Sequence, residues 1–237
     1  MRRLKLVSVF VLLGAILVPL IATGCGGPSE RAAVASSSYE TSQVADGTVS
    51  IDHVNMVQSG NMWKVVARIK NNNANYCLTN AMYSATLFDS ISVVLGNDTA
   101  RLPTIYPSQA SWIVSAGMLV GDRVPDRADF RITSIAWKQT GIEDIPALFM
   151  IQSNYIPTQA TDAKVTGILH YSGKMRNAQI GVTGVLVDAR ENPVDATSMV
   201  LENVSTGEYP FEIPFLRAGA PAPEFAKLEV TGFILPR

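Results

Sequence analysis

The residues able to do chemistry are few and far apart. His53 and His170 are the two histidines of the 237-residue chain, and each stands alone, without the partner that nucleophilic or general acid–base work requires. Asp122, Asp126 and Asp129 offer oxygens of the kind a calcium ion takes. Arg123 and Arg127 interleave with them, and neighbouring positive charge opposes cation capture, so this segment reads as a solvated, self-neutralised loop and no metal site is expected. Asp89 and Asp188 each end an apolar run, where a short carboxylate accepts backbone N–H bonds from the turn that follows. There is no Gly-x-Ser-x-Gly elbow, no His-Glu-x-x-His, no Cys-x-x-Cys and no phosphate-cradling glycine loop. Neither catalysis nor a bound cofactor is expected.

The cysteines have different surroundings. Cys77 sits between Tyr76 and Leu78 and reads as a small buried hydrophobe at the start of a strand. Cys25 follows a basic start (Arg2, Arg3, Lys5) and an apolar run from Leu6 to Ile21 that is too short for a spanning helix, which is the pattern of a cleavable export signal. Ala22-Thr23-Gly24-Cys25 resembles the lipobox of bacterial lipoproteins. That resemblance implies cleavage before Cys25, lipid attachment to its sulfur, and a membrane anchor made stable by more than one acyl chain. A mature chain starting at Cys25 would carry 16 basic against 20 acidic residues, a balance unsuited to nucleic acid. Pro28 to Ser50 has almost no large apolar residue and reads as a flexible tether. With Cys25 lipidated, Cys77 has no partner for an intramolecular disulfide.

The rest of the chain must hold a core, and it does so twice. Lys64, Val65 and Ile69 recur one hundred residues later as Lys164, Val165 and Leu169, with Ile51 matching Ile151 in the same register. Further on, the offset falls to ninety-nine, so that Leu87 matches Leu186, Asp89 matches Asp188, Leu102 matches Leu201 and Ile105 matches Val204. Carried forward, that register sets Trp112 against Phe211 and Val114 against Ile213 as inward pairs. Within each copy the apolar period is two, as in Trp63, Val65, Ala67 and Ile69, or Tyr83, Ala85 and Leu87. Turn chemistry punctuates the runs at Asn71-Asn72-Asn73, Gly96-Asn97-Asp98 and Glu191-Asn192-Pro193.

About seven short strands per copy predict an all-β chain of two tandem immunoglobulin-like β-sandwich domains. The expected organisation is a signal peptide over 1–24, a lipidated cysteine and tether over 25–47, and sandwiches over 48–138 and 147–237. Arg68-Ile69-Lys70-Asn71-Asn72, Leu87-Phe88-Asp89 and Ile105-Tyr106-Pro107-Ser108-Gln109 resemble the FxLYD-type repeats of bacterial surface lipoproteins, with Ala85 and Gly184 in place of the name-giving phenylalanine. The resemblance implies small extracytoplasmic sandwiches, often in tandem, with no set chemistry.

Function then falls to surfaces. Trp112 is expected in the core, whereas Trp63 and Trp137 face small or aliphatic counterparts in the second copy and are candidates for a partner platform, edge-of-core packing being their plainer role. Arg123, Asp126 and Arg127 are candidate partner contacts, because this charged loop corresponds to the apolar, proline-bearing Ala218–Pro223. The chain is expected to be a lipid-anchored extracytoplasmic binding or assembly module for an envelope protein or polymer. A solute-capturing lipoprotein beside a transporter is the alternative.

Overall fold

In a computed structural model, the structure describes residues 42–44, 47–141, 145–146, 148–156, 163–216 and 223–235. The strands are β1 Ser42–Val44, β2 Gly47–Ser59, β3 Met62–Asn71, β4 Tyr76–Phe88, β5 Val94–Arg101, β6 Ala110–Val114 and β7 Arg127–Gln139, followed by β8 Leu148–Ile156, β9 Lys164–Tyr171, β10 Ala178–Val187, β11 Pro193–Val204, β12 Gly207–Pro214 and β13 Lys227–Ile234. All pairings are antiparallel, in four sheets ordered β1-β2-β3-β6, β5-β4-β7, β12-β9-β8 and β11-β10-β13. The fold is all-β and sandwich-type. Among the described residues, no helix is long and apolar enough to cross a membrane.

Alternation places one core in each half. Val49, Ile51, Val65 and Ile69 of the first sheet cluster with Leu78, Tyr83, Leu87 and Phe130 of the second. Tyr83 stacks on Phe130 with ring centroids 4.9 Å apart. Val165, Leu169 and Phe211 likewise cluster with Ile180, Val182 and Leu186. Each such fully buried side chain contributes about 1.5–3 kcal/mol of hydrophobic stabilisation.

The repeat is written into the backbone as well. Bulges interrupt the pairing between Asp52 and Asn55 and between Ile151 and Asn154, with His53 and Gln152 at φ 52° and 57°. The Asp89 carboxylate accepts from the backbone N–H groups of Ile91 and Val93 at 3.1 and 2.8 Å. Asp188 repeats this with Arg190 and Asn192 at 2.8 and 2.9 Å. Both aspartates therefore hold a tight turn, as their position at the strand end predicts. Although partial burial pushes the Asp188 carboxyl up, the N–H bonds from Asn192 and Arg190 outweigh it and hold the group below its ordinary value.

Two parts of the register differ from the sequence reading. Ile51 pairs with Ile69, whereas Leu169 pairs with Met150, so Met150 and not Ile151 is the counterpart of Ile51. Ala67 pairs with Ile113 and Gly167 with Phe211, so Ile113 is the counterpart of Phe211 and the offset here is ninety-eight. Trp112 thus corresponds to Pro210, and Ser115, whose N–H donates to Val65 O, takes the place of Ile213. A slip of one residue exchanges the faces of a strand. Trp112 and Val114 accordingly face away from the first core, while Ile113 enters it.

The same pair shows compensation between the halves. A Cβ on Gly167 would lie 2.6 Å from Phe211 Cζ, so the large ring takes the space that Ala67 occupies opposite the smaller Ile113. Gly167→Ala is expected to cost about 1–3 kcal/mol by overpacking. Adding Phe211→Ile should recover much of that loss in urea denaturation, which a purely conformational role for Gly167 would not allow.

Ser42–Val44 pairs with Val49–Gly47, so strand pairing reaches into the stretch that composition alone reads as tether. The signal segment, Cys25 and residues 218–222 of the apolar loop lie outside the described residues. All described residues belong to one compact unit.

Candidate functional site

A third apolar cluster joins the two halves. Val57, Val66 and Trp112 on the outward side of β2, β3 and β6 meet Val185, Val187 and Ala196 on the outward side of β10 and β11. This explains why Val66, on the polar side of its strand by alternation, is fully buried. Trp112 is 1% exposed, and its indole N–H donates to Glu229 Oε2 at 2.7 Å. Lys227 Nζ donates to the other Glu229 oxygen at 2.8 Å. The Arg68 guanidinium lies 5.8 Å from the Trp112 ring centroid, and Arg68 and His53 both approach Glu191 at 3.6 Å. Asn55 donates its side-chain amide to Pro193 O at 2.8 Å.

The electrostatics follow from this packing. Burial lowers the Lys64 ammonium below its ordinary value, with Asp195 across the seam opposing the shift. Burial also pushes the Glu229 carboxyl up, but hydrogen bonds from Lys227 and Trp112, with the charges of Lys227 and Arg68, outweigh it and leave the group below 4.5. A carboxyl depressed in the folded state stabilises above its unfolded value, and that contribution is lost as pH falls through the folded value. The melting temperature should therefore drop on acidification below pH about 4.5. In Glu229→Gln this part of the drop should be absent, and an identical acid limb in both proteins would show that the seam carboxylate does not contribute.

A cleft of about 210 Å³ opens beside the seam, lined by Thr104, Tyr106, Ser111 and Leu148 with Thr231 and Phe233. The lining is neutral, with hydroxyl and amide groups and no formal charge. Tyr106 is pushed up to about 12 by burial, with Cys77 and Tyr171 adding to it. Tyr106 and Thr104 also wall a second cavity, of about 360 Å³, that holds Cys77. Cys77 is buried, with its sulfur 2.8 Å from Thr140 Oγ1.

The candidate contact residues divide between two ends. Arg123 Nη1 lies 3.7 Å from Asp89 Oδ2, the Asp126 N–H donates to Phe88 O at 2.8 Å, and the Arg127 guanidinium stacks over the Phe88 ring at 4.0 Å. These three gather around the end of β4. Trp63 is half-buried against the first core and exchanges backbone bonds with Met118. Trp137 is half-buried too, but at the start of β4, where it pairs with Leu78. The two tryptophans therefore do not form one platform. Asp129 lies on β7 and is nearly buried, with its carboxylate 2.7 Å from Arg131. No group of three acidic, histidine or cysteine side chains suited to a metal ion occurs among the described residues. His53 faces Glu191, and His170 lies 3.7 Å from Glu208.

Sequence reasoning missed a group of exposed apolar residues. Ile91, Val93 and Val94, in the turn that Asp89 holds, are 78%, 43% and 54% exposed, and Leu119 and Val124 are 68% and 70% exposed. The available signal was the repeat itself, because Arg190, Asn192 and Pro193 occupy the positions of Ile91, Val93 and Val94 in the second half.

No family model matches the chain, and no curated protein matches it. Among solved structures, red sea bream transglutaminase is similar over 82% of this chain and 32% of its own length, at 13% identity and a TM-score of 0.24. The chain spans about a third of that structure, and a likeness this loose bears on neither activity nor partner.

Proposed function

We propose that this chain is a lipid-anchored extracytoplasmic module that binds an envelope protein or polymer without turning it over, and that its two halves are tandem immunoglobulin-like sandwiches of the FxLYD type. The observation that carries the binding reading is the apolar turn Ile91–Val94 held open by Asp89 beside Arg123 and Arg127. Apolar side chains fixed on a rigid turn and rimmed by charge are a common form of protein contact. Solute capture has less support, since a capture protein of that kind closes two α/β lobes around a cleft, whereas the elements of the described residues are strands throughout. Anchoring rests on Ala22-Thr23-Gly24-Cys25. Mass spectrometry of the N-terminal peptide should show cleavage before Cys25 and added acyl mass, and Cys25→Ser should abolish both. An unmodified peptide starting elsewhere overturns the anchor. Recovery of a partner from intact cells that is lost in Ile91→Asp supports the module, whereas turnover of a substrate by purified protein overturns it.

A further inference from the structure

The seam joins two different surfaces of the repeat, and each half keeps the surface it does not use there. The second half presents its β10–β11 turn and the outward side of β10, with Val185, Val187, Glu191 and Pro193. In the first half the same positions are Thr86, Phe88, Ser92 and Val94, with Ile91 and Val93 between them. The first half receives the turn on β2, β3 and β6 with Asn55, Val57, Arg68 and Trp112. In the second half those positions are Asn154, Ile156, Ile168 and Pro210. They are open to solvent: Asn154, Ile168 and Pro210 line a groove of about 440 Å³, and Ile156 is 36% exposed.

We propose that the β4–β5 turn of one chain docks into the β8-β9-β12 groove of a second copy, repeating the internal seam between chains. The substitutions on the two free surfaces go together. Where the seam sets Glu191 of the turn 3.6 Å from Arg68, the free turn has Ser92 flanked by Ile91 and Val93, and the free groove has Ile168 in place of Arg68 and Pro210 in place of Trp112. Asn154 repeats Asn55, whose amide bonds the backbone carbonyl of Pro193; the carbonyl at that place in the free turn belongs to Val94. The free turn thus offers Ile91 and Val93 to Ile168 and Pro210, with Thr86 and Thr166 at the places of Val185 and Val66, and the groove keeps the Asn154 amide, which donates to Gln152 O at 3.1 Å within its own chain. Such a contact is heterologous, so each docked chain leaves one turn and one groove free for the next.

The inference deepens the binding-module reading and rests on it for the use of this turn, but it names a second copy as the occupant. The test is thiol cross-linking of the full-length chain in membranes with a short bismaleimide, at the equivalents of the Asn55–Pro193 contact. Val94→Cys with Asn154→Cys in one chain should give a ladder of dimers, trimers and larger species above the pattern of the parent chain. Either cysteine alone should add nothing, and co-expression of the two single variants should give dimers but no larger species. Ile91→Asp in the double variant should remove the ladder while leaving the thermal transition unchanged, since this side chain is 78% exposed. No ladder from the double variant, or dimers from one single variant alone, overturns the proposal. If the chain stays single while Ile91→Asp still loses an envelope partner, self-association fails and the module reading stands.

Discussion

Trp112→Ala is expected to destabilise the protein by about 3–5 kcal/mol and to split one unfolding transition into two. Trp112 is the largest of the fully buried side chains, and it belongs to neither half's core, packing instead with Val57, Val66, Val185, Val187 and Ala196. Its removal leaves a cavity at the only place where apolar surface of both halves meets in one cluster among the described residues. It also leaves Glu229 with Lys227 as its remaining bonded partner. Trp112→Phe separates these effects, because it keeps most of the apolar volume and deletes a hydrogen bond to a charged group, worth about 1.5–3 kcal/mol. Calorimetry should show a single transition in the parent protein and two in Trp112→Ala. A single transition retained with a loss under about 1 kcal/mol would mean that the halves are coupled elsewhere.

Leu186→Ala is expected to cost about 2–5 kcal/mol. The side chain is fully buried in the second core, on a strand paired at this residue with Asp195 and Leu228. Its counterpart Leu87 is buried equally in the first core, so Leu87→Ala should cost a similar amount. While the seam is intact, either truncation should lower the whole transition, since each half is held in part by the other. In a Trp112→Ala background, Leu186→Ala should affect only the transition of the second half. Denaturant titration of the four variants gives the coupling directly, and strict additivity with no change in the number of transitions would contradict it.

Much of the fold is legible in the chain because its signals are local. Alternation in Val65-Val66-Ala67-Arg68-Ile69 marks a strand and names its core side, and the core side is the one observed. The repeat of Leu87-Phe88-Asp89 as Leu186-Val187-Asp188 pairs the right core leucines and the right turn aspartates. The apolar turn at Ile91–Val94 was present in the same alignment, but its meaning depends on what the corresponding turn of the second half touches.

The period, the repeat and the identity of most core positions are set locally, since these follow from apolar side chains leaving water at every second residue. Which second faces are also buried depends on how the sheets and halves pack together. A strand with large residues on both sides, such as Ser111-Trp112-Ile113-Val114, satisfies either register, and pairing with β3 places Ile113 in the core and sends Trp112 outward. The outward tryptophan and Val66 gain partners because the second half packs against them, and Glu191 of that half meets Arg68 and His53 in the same contact. That contact is between residues over a hundred positions apart in the chain, and no local preference of the backbone encodes it.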